Sequence, residues 1–593
     1  MSNHTAGSTA RSRRRGREFF RTALLAAAIA ILWCVMTNRT SLWKWQVPLF
    51  YSGDSWAVMA AAKDAAEGHY RPVLPKYNPS LGAPFIANWN DYPVTEDTLI
   101  FFMGCLAKVF GLFAACNLAV LIGELLAGVT FYLTCRWWRV AWEWAFAGAM
   151  IFTFSTYAFF RSLSHITLSY YWHIPLCILV CSWMISRRGL GLTSKRFWFA
   201  LAVGFATGIQ SPYYTNLFLQ FTGFAFLAQV IRRSPREKIL APAAVAAAAI
   251  CGFLLMNLDT LYYQHLHGKN PAAVERNYAG LEIYALKPVD LIMPPRSHRI
   301  KVMRKVAESY GAQVAFLGEG FQSAYLGVAG ISAFAWLLWI SVSNALGRPR
   351  RPVPGPMMEI IWIAAYSVVG GLNCLLGLAG LQLFRGTNRF SIWILAILLL
   401  FLVRQLNRLG RHWPMPVRAV AAFLLYAAAV YDQIPKVPDN ESLAASKAVI
   451  DSDRGLVEKL SSAVPQGAMI FQLPVVDFPE SPPLVEMADY SHLRPYFFSQ
   501  GLRYSYGNDK GRADDGWQHE VAGLAPAEMV ERLEASGFSA IWINRQGYAD
   551  NGKALIDGLR DAGRTDTIES QQGDLVCVLL NPSAHPAIPN PAH

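Results

Sequence analysis

The chain has 593 residues, 53% of them hydrophobic and 16% charged, with a mean hydropathy of +0.26. Soluble domains average about 45–50% apolar and about 25% charged residues, so the composition excludes a purely soluble protein. The formal net charge of +13 does not point to nucleic acid, because Arg and Lys cluster in short loops between apolar segments, the positive-inside pattern of a membrane protein.

In chain order, residues 1–18 form a basic N-terminus with Arg11, Arg13, Arg14, Arg15 and Arg17. Phe19 to Met36 is the first span, read as an uncleaved anchor with its N-terminus in the cytoplasm. A polar loop, 38–98, follows on the far side; it is much longer than an ordinary connection. Thr98 to Gly111 is apolar but short for a span and reads as a re-entrant or interfacial helix. Apolar segments then alternate with basic loops: Ala114–Cys135, Trp144–Phe159, Ile166–Ile185, Phe197–Gly208, Leu217–Ile231 and Ile239–Leu258. A second long outer loop, 259–322, precedes Ala324–Val342, Met358–Leu378, Ile392–Val403 and Ala419–Tyr431. The expectation is an α-helical polytopic membrane domain over 19–431 with about eleven transmembrane helices. Residues 432–582 read as a soluble α/β domain on the outer face. Its strands are expected at Ala468–Val475, Phe538–Ile543 and Leu575–Leu580, and its helices at Pro526–Glu534 and Gly552–Ala562. The Pro-rich end, 583–593, reads as a disordered tail. Eight of the nine cysteines lie in or beside apolar segments and no CxxC pair occurs, so neither a disulfide framework nor a zinc motif is indicated.

Chemistry-bearing residues gather on the expected outer face. Asp54, in SGDSW just behind the first span, is placed to act as a general base on an acceptor hydroxyl while a lipid-linked donor approaches from the bilayer; Asp also favours helix N-caps. Glu96 and Asp97 close the same loop as a second acid or a cation ligand, although acidic residues also favour a first helical turn. Arg161, His165, Arg385 and Arg389 lie beside spans on the same side. Arg385 and Arg389, four apart in FRGTNRF, could clamp a phosphate through their forked donors, with snorkelling toward headgroups as the alternative. Tyr213 and Tyr214 in QSPYYTN could stack on a sugar or belong to an interfacial aromatic belt. No metal ligand set is assigned and no cofactor is certain; a divalent cation, Mg²⁺ or Mn²⁺, is the one candidate. Phospho-group transfer would need clustered Asp and His in the soluble domain, which offers only scattered His492, Asp509 and His519.

The succession SGDSW, NPSLGAPFIANWNDYP, LFAACNLAVLIGELLAGVTFYL and FRSLSHITLSYYWHIPL, continued by PVDLIMPP and LFRGTNRF, resembles the YfhO-like bacterial polytopic membrane proteins of the GT-C glycosyltransferase superfamily. The resemblance implies a GT-C-like fold and a general base in the first outer loop, which is Asp54 by position. It implies donor-phosphate contacts at Arg385 and Arg389, and an active-site wall residue at His165. It also implies a polyprenyl-phosphate-linked sugar donor and an envelope glycan, lipid or protein acceptor. The site would lie on the periplasmic face of a bacterial inner membrane. The lone Asp departs from the Asp-Glu or DxD pattern of better-defined members, which leaves the metal requirement open. The alternative is a non-catalytic scaffold or transporter in envelope polysaccharide assembly or export; Glu124 in LIGELL is the one clear charge midway in a span.

Overall fold

The computed structural model describes residues 2–91 and 96–587, with side chains from Arg15 onward. The side chains of Arg11, Arg13 and Arg14, the 92–95 part of the first loop and the last six residues of the expected tail lie outside the described set.

Among the described residues, six helices are long and apolar enough to cross a membrane: Arg15–Met36, Leu112–Trp137, Arg236–Met256, Gly327–Leu346, Thr387–His412 and Met415–Gln433. Ile174–Ile185 is a shorter apolar helix. Several of the roughly eleven expected spans are broken rather than continuous. Trp142–Thr153 stops, and Ser155 caps a new helix, Thr156–Arg161. Ile166–Ser169 is separated from Ile174–Ile185, which starts with Pro175 in its first turn, where proline's missing N–H costs nothing. The expected Met358–Leu378 span divides into Gly355–Ser367 and Leu372–Leu378 across Gly370 and Gly371. Each break frees backbone and side chains at one end of the bundle, where the apolar pattern alone runs on.

Ser391–Leu409 is the centre of the bundle. Every residue from Ser391 to Val403 is buried, as expected of a helix apolar all round. Close approach matters elsewhere: a Cβ on Gly208 would lie 2.0 Å from the Ala249 carbonyl oxygen, so Lys195–Gly208 and Arg236–Met256 pack nearly backbone to backbone.

The first long loop contains strands β1 (Tyr77–Asn78) and β2 (Ala87–Asn88), which pair antiparallel. The C-terminal unit opens with helix Asn440–Ala463 and builds a five-stranded mixed sheet from β3 (Met469–Leu473), β4 (Arg503–Tyr504), β5 (Phe538–Asn544), β6 (Thr567–Glu569) and β7 (Leu575–Leu579). The strand order is β4-β3-β5-β7-β6. β3 runs parallel to β4 and β5, whereas β7 is antiparallel to β5 and β6. Helices Pro526–Ala535 and Lys553–Asp561 match the expected ones closely. The start of the expected tail is held in place: Ser583 and Ala587 donate backbone hydrogen bonds to Glu534 and Ala535.

The first loop and this sheet are joined. Ala83 N–H donates to the Tyr504 carbonyl and Tyr504 N–H to that of Ser80, both at 2.9 Å, so the loop covers the β4 edge. Gly82 makes this possible: its φ is +78°, and a Cβ there would meet the Ala87 nitrogen at 2.6 Å.

Candidate active site

Asp54 opens helix Asp54–Glu67. Gly53 before it has φ +51° and ψ −131°, a backbone that a side chain would strain. Ser55 Oγ donates to the Ser52 carbonyl at 2.7 Å and fixes the turn. The carboxylate thus stands at a helix start, where the dipole favours negative charge, with 55% of the side chain exposed.

Helix Thr156–Arg161 ends at the same end of the bundle, and the His165 N–H bonds back to the Arg161 carbonyl at 2.8 Å. His165 Nε2 lies 3.5 Å from Asp54 Oδ2 and 3.6 Å from Glu319 Oε1. Arg161 is fully buried. It pairs with Glu319 and donates to Ser323 Oγ at 3.1 Å and Asn388 Oδ1 at 2.8 Å. Asn388 donates to Glu319 Oε2 at 3.1 Å and to the Tyr284 carbonyl at 2.9 Å. Asn388 and Arg389 belong to the 3₁₀ turn Thr387–Phe390, which leads straight into the central helix, so the most buried element of the bundle positions them. Arg389 Nη2 is 3.8 Å from Glu319 Oε1, and its guanidinium lies 4.4 Å over the Tyr213 ring. Arg385 stacks 5.0 Å over Tyr284 and lies 3.6 Å from Glu480 Oε1, a carboxylate that Arg276 also holds at 2.8 Å.

Asp54, His165, Arg385 and Arg389 therefore belong to one charged cluster with Glu319, against which Arg161 is buried. Two carboxylates absent from the sequence expectation complete the group. Glu319 comes from the second long loop and Glu480 from the C-terminal unit. The available signal for Glu319 was LGEGF, a lone acid between glycines just ahead of a span; Glu480, in a Pro-rich stretch, carried none. A Cβ on Gly320, beside Glu319, would meet Asp290 Oδ2 at 2.7 Å, so that carboxylate would have to move to admit a side chain.

The electrostatics match a working group. Desolvation by the surrounding side chains, and then the Glu480 charge, lift the Asp54 pKa above the usual carboxylate value, while Arg389 and Arg385 pull it down. Burial, then Arg161 and Arg389, hold His165 well below the ordinary imidazole value, so it is neutral at pH 7. Burial, with Asp54 and Glu480 among the charges acting on it, pushes Asp489 up to about 7. Arg389 Nε and His165 Nδ1 are buried without a hydrogen-bond partner.

Other expected residues lie elsewhere. Asp97 accepts from Tyr70 Oη at 2.8 Å and pairs with Lys76 Nζ at 2.9 Å; Lys76 also pairs with Asp259. Tyr70 follows the far end of the 14-residue helix that Asp54 opens, which is about 21 Å long. Glu96 precedes helix Asp97–Phe110 and is buried with it. Asp97 therefore locks the loop through a buried ion pair with Lys76 and does not stand as a second acid beside Asp54. Tyr213 lies under Arg389, but Tyr214 is fully buried, its hydroxyl donating to the Leu168 carbonyl at 2.7 Å, and is not placed to stack on a sugar. Glu124 is buried inside the bundle. Among the described residues, Asp54 belongs to no group of three metal-ligating side chains.

No protein-family model matches the chain, and no curated protein is similar to it in sequence. Its structure is similar to that of ArnT from Cupriavidus metallidurans bound to undecaprenyl phosphate, with a TM-score of 0.52 at 12% identity, over 96% of this chain and 99% of that one. The archaeal oligosaccharyltransferase AglB from Archaeoglobus fulgidus, in complex with an inhibitory peptide and a dolichol-phosphate, aligns with a TM-score of 0.43 at 11% identity, over 94% of this chain and 74% of that one. The likeness to ArnT is one of fold.

Proposed function

We propose that this chain is a membrane glycosyltransferase of the YfhO-like GT-C kind. It would move a sugar from a polyprenyl-phosphate donor to an envelope glycan, lipid or protein acceptor on the periplasmic face of a bacterial inner membrane. The observation that carries the reading is the meeting of Asp54 with Arg385, Arg389 and His165 in one charged cluster. The shared fold with ArnT, in a structure bound to undecaprenyl phosphate, supports the donor class.

In this reading the donor phosphate lies against Arg389 and Arg385. Arg389 keeps an unfilled Nε donor, and neither guanidinium makes a close ion pair within the cluster. Asp54 takes the proton of the acceptor hydroxyl as its oxygen bonds to the anomeric carbon from the face opposite the phosphate. The bond from that carbon to the phosphate oxygen breaks, and polyprenyl phosphate leaves with its electron pair. The arginines stabilise the growing charge, so no strong acid is required. Neutral His165 stands beside Asp54, and Glu319 holds Arg161 and Arg389 in register.

Purified protein supplied with undecaprenyl-phosphate sugars and envelope acceptors should release undecaprenyl phosphate. Wild-type release rates in Asp54→Asn would refute the assignment of the base.

A further inference from the structure

The C-terminal unit carries a second gathering of ligand-type side chains. Helix Ala513–Ala522 holds Asp515 and His519 four residues apart and therefore on one face. The chain after β3 brings Asp477 to that face. His519 Nε2 is 3.0 Å from Asp477 Oδ1 and 3.8 Å from Asp515 Oδ1, and one ligand atom from each residue lies within 4.8 Å of the others. Two ligands bound to zinc at about 2.1 Å stand roughly 3.4 Å apart in a tetrahedron, so the three already have the spacing of a coordinating set. His519 and Asp477 are reachable from solvent, which leaves a path for entry.

A buried acid on the adjoining chain bears on the same face. Asp509 stands on the neighbouring stretch of chain: its backbone bridges to Phe478, the residue after Asp477, and the Lys510 N–H donates to the Phe478 carbonyl at 2.6 Å. Asp509 is 2% exposed, and its Oδ1 has no hydrogen-bond partner. Burial drives its pKa well up; the charges of Asp91 and Asp515 add to that, while the Asp91 N–H and Arg512 oppose it. A buried carboxylate with an unfilled oxygen keeps capacity for a further positive partner.

We propose that Asp477, Asp515 and His519 form a divalent-cation site. One imidazole with two carboxylates suits zinc, with water completing the shell. Asp477 is three residues before Glu480, so the ion would pin the segment that carries Glu480 and Asp489 over Asp54 to helix Ala513–Ala522. The site does not depend on the glycosyl-transfer reading.

The test uses the full chain in detergent, stripped with chelator and titrated with zinc chloride, with bound zinc and melting temperature as readouts. The expected result is one zinc per chain and a higher melting temperature, with at least tenfold weaker binding in both His519→Ala and Asp477→Asn. If alanine lowers the melting temperature in chelator, His519→Gln takes its place. Absence of stoichiometric zinc, or equal binding by wild type and the His519 variant, would overturn the proposal. So would binding lost only in His69→Ala, which would move the ion to the separate Asp64, Glu67 and His69 group.

Discussion

Two charged clusters stand at the same end of the molecule and are built in opposite ways. Around Arg494 everything is closed. Its Nε donates to Asp453 Oδ2 at 2.9 Å and its Nη1 to Asp574 Oδ2 at 3.1 Å, and the Tyr51 hydroxyl reaches the same Asp453 oxygen at 2.7 Å. Arg494 and Asp453 are buried, and the cluster ties the first loop and helix Asn440–Ala463 to the sheet. Around Asp54 the contacts are loose: 3.5 Å to His165, 3.8 Å from Arg389 to Glu319 and 3.6 Å from Arg385 to Glu480. These exceed hydrogen-bond length, and two buried ring or guanidinium nitrogens remain unfilled. A closed ion cluster has used its capacity on the fold, whereas an open one with a lifted carboxylate retains capacity for a ligand.

Four substitutions sharpen that contrast. Asp54→Asn should lower turnover by roughly 10²–10⁴-fold. Its melting temperature should stay at the wild-type value, because the side chain is more than half exposed. Arg494→Met should do the reverse, leaving Asp453 buried without its counter-ion at a cost of about 3–5 kcal/mol in unfolding free energy, read by denaturant melts. Arg389→Lys keeps the charge but loses the planar fork and the fit over Tyr213, so the KM for a polyprenyl-phosphate donor should rise roughly tenfold. Glu480→Gln gives the smallest and most specific effect. Glu480 raises the Asp54 pKa, and a base works only when ionised, so its removal should move the acidic limb of kcat/KM to lower pH. A limb that moved upward or stayed fixed would separate Glu480 from Asp54.

The parts of this site that were legible in the sequence are those with a local signature. Asp54 sits directly behind the first apolar span, and Arg385 and Arg389 crowd a face otherwise poor in charge, so the positive-inside count alone marks them. The strands near 469, 538 and 575 were legible from their β-branched and aromatic runs. The breaks at Ser155, Pro175 and Gly370–Gly371 were not, because apolar side chains run across them and hydropathy is blind to a helix that restarts. Strands β4 and β6, two and three residues long, are too short for periodicity to register. Asp97 misled because a carboxylate at a helix start reads the same whether it faces a ligand or a buried lysine 21 positions earlier. Glu319 and Glu480 reach the cluster from loops far from Asp54 in sequence, and no local pattern encodes that meeting.

The most direct test of the open cluster as a phosphate-holding active site is the affinity of the full-length protein for undecaprenyl phosphate. It should be measured for wild type, Asp54→Asn and the Arg385→Met, Arg389→Met double variant. The account predicts binding by wild type and equal or tighter binding by Asp54→Asn, which removes a like charge. The double variant should bind at least tenfold more weakly. Undiminished binding by the double variant would contradict the account and leave the cluster without its phosphate contacts.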